Sequence, residues 1–202
     1  LFLPTSWFIS DTHFGHQKVC TVFTKKDGSP LRPFSCAEEM DEFMIKAWNE
    51  RVRPKDKVYH LGDVVIHRKF LHILDKLNGS KVLIRGNHDI FKMEEYARYF
   101  RDIRAFDVKN GMILSHVPVH PESLARFGCN IHGHLHANRV MKIKGVNTKT
   151  DELEYSDVVD PRYFNVSVEQ IDFAPISLEE VNDRIIKQGG HIGFNNENTP
   201  VM

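Results

Sequence analysis

The chain has 202 residues, with 27 basic and 27 acidic side chains and a formal net charge of zero. That length suffices for one domain with a sizeable buried core, and the neutral balance argues against a surface built to grip long DNA or RNA, which is usually strongly basic. No apolar run is long enough to span a bilayer, and three separated cysteines, Cys20, Cys36 and Cys129, with no CxxC pair, point to a reducing cytoplasmic compartment and not to a disulfide framework.

Leu1 to Ile9 is apolar but interrupted by Pro4 and preceded by no basic stretch, so it reads as the approach to a first strand and not as a signal peptide. Trp7 to Ser10 is that strand, stopping at Asp11-Thr12-His13. Residues 24–34 carry Gly28, Pro30 and Pro33 and form a loop. Ser35 and Glu38 have the spacing of a capping box, and Met40, Phe43, Met44, Ala47 and Trp48 recur at helical spacing, which predicts a helix over 37–51. A second strand, Val58 to Leu61, ends at Gly62-Asp63. A helix over 68–77 stops at Asn78-Gly79, and a third strand, Lys81 to Ile84, ends at Gly86-Asn87-His88-Asp89. Residues 93–100 read as helical. Met112 to Ser115 is a strand ending at His116, and Cys129 to Ile131 leads into Gly133-His134-Leu135-His136. Beyond this, Val140 to Ile143 and Phe164 to Val168 read as strands separated by a mixed-charge loop. Ser177 and Glu180 open a last helix that Gly189-Gly190 stops. The grammar of short apolar strand, polar residues and helix implies a layered α/β fold whose ligands gather beyond the strand ends. Residues 1–190 read as a single domain and 191–202 as a loose tail.

The unusual component is histidine, present 12 times and often beside Gly, Asp or Asn. Five strand-end clusters offer oxygen or nitrogen donors: Asp11/His13, Asp63, Asn87/His88, His116 and His134/His136. In extended backbone residues i and i+2 point the same way, so Asp11 and His13 can face one ion, and His134 and His136 can share one side or divide between two ions. Gly62, Gly86 and Gly133 stand immediately before donor segments, where crowding calls for glycine.

In this order, Asp11-x-His13, Gly62-Asp63, Gly86-Asn87-His88-Asp89, His116 and Gly133-His134-x-His136 resemble the motifs of the calcineurin-like metallophosphoesterase superfamily. The resemblance runs from about residue 7 to 136, and 163–185 is similar to the family's closing segment. It implies a four-layer α/β/β/α sandwich with two divalent metals above the sheets. Carried over by position, it implies that Asp11, His13 and His136 bind one metal, that Asn87, His116 and His134 bind the other, and that Asp63 bridges them. His88 is then the catalytic histidine, oriented by Asp89. Ser115 stands where the family often has Gly, which leaves His120 as a rival to His116.

The charge balance suits this scheme. Four positive charges, less Asp11, Asp63 and a hydroxide held between the ions, leave roughly one for an anionic phosphate oxygen, and paired ions favour in-line displacement. Imidazole titrates near neutrality, so His88 can protonate the leaving oxygen. Imidazole, carboxylate and amide donors without thiolate fit Mn, Fe, Zn, Co or Ni, with Mn the expected ion. His16 and Arg139 are further candidates for substrate contact, and Asn87 can also touch substrate. His60 reads as a buried core residue. The expected function is a phosphodiesterase or phosphomonoesterase acting on a small, nucleotide-like ester. A nucleotide monophosphatase, a metal-dependent nuclease and a non-catalytic scaffold on the same fold are the alternatives.

Overall fold

Short apolar runs pair side by side wherever the sequence stops them with polar residues, and they build two sheets that share one core. The computed structural model describes residues 3–195. Strands β1 (Ser6–Ile9), β2 (Lys57–His60), β3 (Ser80–Ile84) and β4 (Asp102–Arg104) are mutually parallel neighbours. The antiparallel β11 (Ile176–Ser177) closes this sheet beside β1. A second sheet sets β5 (Asp107–Lys109) antiparallel to β6 (Met112–Leu114), then β7 (Cys129–His132) and β10 (Tyr163–Asn165) parallel. β8 (Met141–Asn147) and β9 (Glu152–Val159) form a separate antiparallel hairpin.

Helices α1 (Gln17–Thr21) and α2 (Ala37–Arg51) connect β1 to β2, and α4 (Leu178–Lys187) follows β11. Met40, Met44 and Trp48 of α2 and Val181 and Ile185 of α4 are buried in one cluster with Phe8, Val58 and Leu83 of the first sheet and Met112, Leu114 and Ile131 of the second. Each such side chain stabilises by roughly 1.5–3 kcal/mol on burial. The outer side of the second sheet is covered more thinly, by a 3-10 turn at Pro121–Leu124 whose Leu124 packs with Ile113 and Tyr163. The architecture is thus mixed α/β, with helices outside two packed sheets, as expected.

Several local expectations are corrected. α2 begins after Cys36, which makes no side-chain cap. Ser35 and Glu38 form no box, and the Ser35 N–H instead donates to Glu39 at 2.8 Å. Ser177 and Glu180 do cap α4 reciprocally, at 3.2 and 2.9 Å. Residues 68–76 are a 3-10 helix and not an α-helix, and α3 (Met93–Tyr96) is a single turn. The mixed-charge loop after 143 is mostly β8 and β9. The strand expected over 164–168 stops at Asn165 and yields to a 3-10 turn at Val168–Gln170. Of the tail, residues 191–195 are tied down, with Gly128 N–H donating to Gly193 O at 2.9 Å and Asn195 N–H to Arg126 O at 3.0 Å. The rest of the tail lies outside the described residues. The two sheets are stitched at Ser10, whose N–H donates to Val166 O at 2.9 Å and whose carbonyl accepts from Val168 N–H at 3.1 Å.

Candidate metal centre

That stitch lies where the carboxyl ends of β1, β2, β3, β6, β7 and β10 meet, the place where ligands collect in parallel sheets. Asp11 and His13 leave β1, Asp63 leaves β2, Asn87 and His88 leave β3, His116 leaves β6, and His134 and His136 leave β7. Five of these, Asp11, His13, Asp63, His134 and His136, have positive φ, between 46° and 68°. Left-handed backbone costs a non-glycine residue energy, so it persists where the surroundings enforce it and clusters at functional sites. It also replaces the expected i, i+2 alternation. Asp11 and His13 converge through left-handed backbone and not through extended backbone, whereas His134 and His136 divide, His134 toward Asn87 and His116 and His136 toward Asp11 and His13. Gly62, at φ 94°, leaves no room for a side chain, since a Cβ there would sit 2.5 Å from Gly86 N.

Asp11 Oδ2 accepts from His134 N–H and lies 2.9 Å from the Ser167 hydroxyl, which leaves Oδ1 without a hydrogen-bond partner. Both ring nitrogens of the buried His13 are likewise unpartnered. Among the described residues such orphaned buried atoms are few, and the His16 Nδ1 is another beside the same site. Left alone, each costs about 1–3 kcal/mol. Asp11 Oδ1 is 3.9 Å from His13 Nε2 and 3.8 Å from His136 Nε2, too long for hydrogen bonds but suited to donors sharing one cation. Asp63 Oδ2 lies between this trio and the next, 3.6 Å from His13 Nε2 and 3.4 Å from His116 Nε2. Asn87 Oδ1 is 2.9 Å from both His116 Nε2 and His134 Nδ1. Asp11, His13 and His136 form one group compact enough to hold an ion, and Asp11, Asp63 and His116 form another. The donors are imidazole, carboxylate and amide, so the residues fit divalent transition ions.

The back of the site orients these donors. His116 Nδ1 lies 2.7 Å from Leu61 O and His136 Nδ1 lies 3.0 Å from Glu169 Oε1. Each ring thus donates backward and turns Nε2 forward, as metal-binding histidines usually do. Burial pushes the Glu169 carboxyl up, but the Arg32 charge and the His136 hydrogen bond outweigh it and hold the carboxyl below the usual range. Burial, then the Arg32 charge, keep His13 well below the ordinary imidazole value, so it presents a neutral ring.

A model of the calcineurin-like phosphoesterase family matches residues 4–195. The chain belongs to this family. An uncharacterized protein of Methanocaldococcus jannaschii is 36% identical over 187 residues, 91% of this chain and 92% of that protein. The gene 66 protein of Mycobacterium phage L5 is 33% identical over 92 residues, 43% of this chain and 41% of that one. The crystal structure of AQ665, a protein of unknown function from Aquifex aeolicus, superposes with a TM-score of 0.59 at 26% identity, covering 90% of this chain and 100% of that one. As a calcineurin-like phosphoesterase, the protein is a metal-dependent phosphoric ester hydrolase of a family that binds two divalent ions.

Within this phosphoesterase, His116 and not His120 stands at Asp63. His120 is exposed and caps the 3-10 turn at Pro121–Leu124. His88 is exposed at the mouth, its ring 5.6 Å from that of His13, and its backbone N–H donates to Asp63 Oδ1 at 2.9 Å. Asp89 is corrected. Its carboxylate does not orient the His88 ring but accepts three backbone N–H bonds, from Asp63, Val64 and Gly86, which tie the loop after β3 to the loop after β2. Arg139 is corrected too. It bonds Gln170 Oε1 at 3.1 Å and lines a separate cavity of about 230 Å³ with Arg184 and Lys187. His16 packs beside His13 at 5.6 Å between ring centres, and burial followed by the Arg32 charge lowers it to about 4. His60 is fully buried, as expected. Glu169 and Arg32 escaped the sequence reading. Glu169 follows the alternating apolar and polar stretch Phe164–Val168 much as the other donors follow their strands, a usable signal. Arg32 lies in a glycine- and proline-rich loop with no local sign that it is buried.

No helix among the described residues is long and apolar enough to cross a membrane.

Proposed function

We propose that the protein hydrolyses a small, nucleotide-like phosphate ester at a dinuclear centre, in the cytoplasm, with residues 1–190 as its single domain. The observation that carries this reading is the set of orphaned donors, Asp11 Oδ1 and both His13 nitrogens, buried at the meeting point of six strand ends. Asp11, His13 and His136 would hold one ion, Asn87, His116 and His134 the other, with Asp63 between them. Manganese suits the mixed nitrogen and oxygen donors. Bound there, two divalent cations supply charge that activates water and stabilises the phosphoryl oxygens. The chain's own part is positioning. Glu169 and the Leu61 carbonyl aim the His136 and His116 rings, while Asp89 locks the two loops that carry Asp63 and His88. His88, solvent-facing beside His13, donates a proton to the departing ester oxygen. His16 is close enough to the mouth to meet substrate, whereas Arg139 is not part of this proposal.

Metal-stripped protein, restored with Mn, Ni, Co, Zn or Mg in turn, should regain hydrolysis of p-nitrophenyl phosphate or bis-p-nitrophenyl phosphate. Asp63→Ala should abolish it and should lower bound metal per chain. His88→Ala should lower kcat by about 10²–10⁴-fold while metal content is unchanged. Metal-restored activity that survives in Asp63→Ala would overturn the assignment.

A further inference from the structure

Two grooves open beside the metal centre and meet at it. One, of about 570 Å³, runs past Ile90 and Met93. The other, of about 480 Å³, runs past Phe106 and Val117 to His116. They share the rim Arg85, Gly86, Asn87 and Ala105, so Asn87, which faces His116 and His134, stands at their junction. Both volumes fall within the span of small-molecule sites.

Their walls hold large apolar side chains that the fold leaves in water. Ile90 is 71% exposed, Phe106 60%, Val117 50% and Met93 46%. Apolar side chains gathered along one depression mark a binding surface more than a scatter of them does. Among the described residues the one carboxylate in the walls, Asp89, already accepts three backbone N–H bonds, and Arg104 in the wall of the first groove is paired with Asp102 and Asp107. Arg85, anchored by Nε to Asp89 O at 2.7 Å, puts a positive charge on the shared rim. A monoester has one organic arm and two titratable oxygens. A diester has two arms and a single negative charge, and it matches two apolar grooves that diverge from one cationic rim.

We propose that the substrate is a phosphodiester whose two ester groups are apolar or aromatic, one in each groove. This rests on the dinuclear reading above. In the reaction the P–O bond to one arm breaks, a water oxygen bonds to phosphorus, and a proton passes to the departing oxygen, leaving a monoester and an alcohol.

The test compares bis-p-nitrophenyl phosphate, which has two aromatic arms, with p-nitrophenyl methylphosphonate, which keeps the leaving group and the single negative charge but has one. Two variants are used, Ile90→Ser with Met93→Ser, and Phe106→Ser with Val117→Ser. All four side chains are exposed, so folding should survive, and circular dichroism checks it. In the manganese-loaded protein each variant should raise KM for the bis ester about tenfold, whereas only one should raise it for the methylphosphonate. A calorimetric titration with diphenyl phosphate should show the same weakening in both variants. An unchanged KM and affinity in either variant overturns the two-groove assignment and leaves the metal centre standing. No hydrolysis of either ester with any metal, while p-nitrophenyl phosphate is still cleaved, overturns the diester proposal and leaves the dinuclear reading standing; no hydrolysis of all three overturns both.

Discussion

The metal-centre end and the β8–β9 hairpin are both built from polar-rich sequence, yet the fold treats them in opposite ways. At the centre, every carboxylate is held by name. Asp11 Oδ2 meets His134 N–H, Asp63 Oδ1 meets His88 N–H, Asp89 takes three N–H bonds, and Glu169 sits between Arg32 and His136. In the hairpin, Lys142, Lys144, Glu152, Glu154 and Asp157 face water, as do Ile143, Val146, Leu153 and Tyr155. Buried charge must find a partner or be neutralised, so it imposes unique geometry, whereas solvated charge imposes almost none. Precision in this molecule therefore follows burial of polar atoms and not their number.

The largest effect that can break this contrast comes from Glu169→Ala. It removes the partner of a fully buried guanidinium, held at 2.8 Å, and should cost about 3–5 kcal/mol in a denaturant titration. It should also weaken metal binding by about 10–100-fold, because the His136 ring loses the group that aims it. A loss no larger than that of a surface substitution would show that the buried network is not what holds the centre.

Next in size is a pH effect carried by His60. Its Nδ1 accepts from Gly62 N–H at 3.2 Å, so Nε2 carries the proton and points at Thr12 Oγ1, 3.0 Å away. Burial lowers its pKa from 6.5 to about 3. The unfolded chain therefore binds a proton between those values that the folded chain does not, so stability should fall as pH drops from 6.5 toward 3. Thermal midpoints across that window should slope less steeply in His60→Gln than in the natural protein. Parallel slopes would remove His60 from the account.

The smallest effect belongs to the hairpin. Val146→Ser should change stability by no more than about 0.5 kcal/mol and leave metal content and kcat unchanged. A larger loss in thermal unfolding would mean that the hairpin is held more firmly than its exposure indicates.

The same contrast explains which parts of the fold could be read early. β1, β2, β3, β6 and β7 are buried runs stopped by polar residues, and their existence and the donors at their ends were legible. β8 and β9 are exposed along most of their length, so no inward-outward alternation marks them, and most of the pair reads as a charged loop. β4 and β5 are three residues each and too short to carry a pattern. The turn at Met93–Tyr96 looked longer because Tyr96, Tyr99 and Phe100 are spaced as a helix would space them, although the chain leaves the helix after one turn.

The sequence by itself determined the order of strands and donors and the chemistry those donors offer, because both follow from local patterns of apolar and polar residues. Only the tertiary structure decided that Asp89 braces loops and does not orient His88, that Arg139 faces another cavity, and that Arg32 and Glu169, 137 positions apart, form the buried pair behind His136. Those outcomes depend on which buried polar atoms meet when the two sheets close, a condition that no local window of sequence contains.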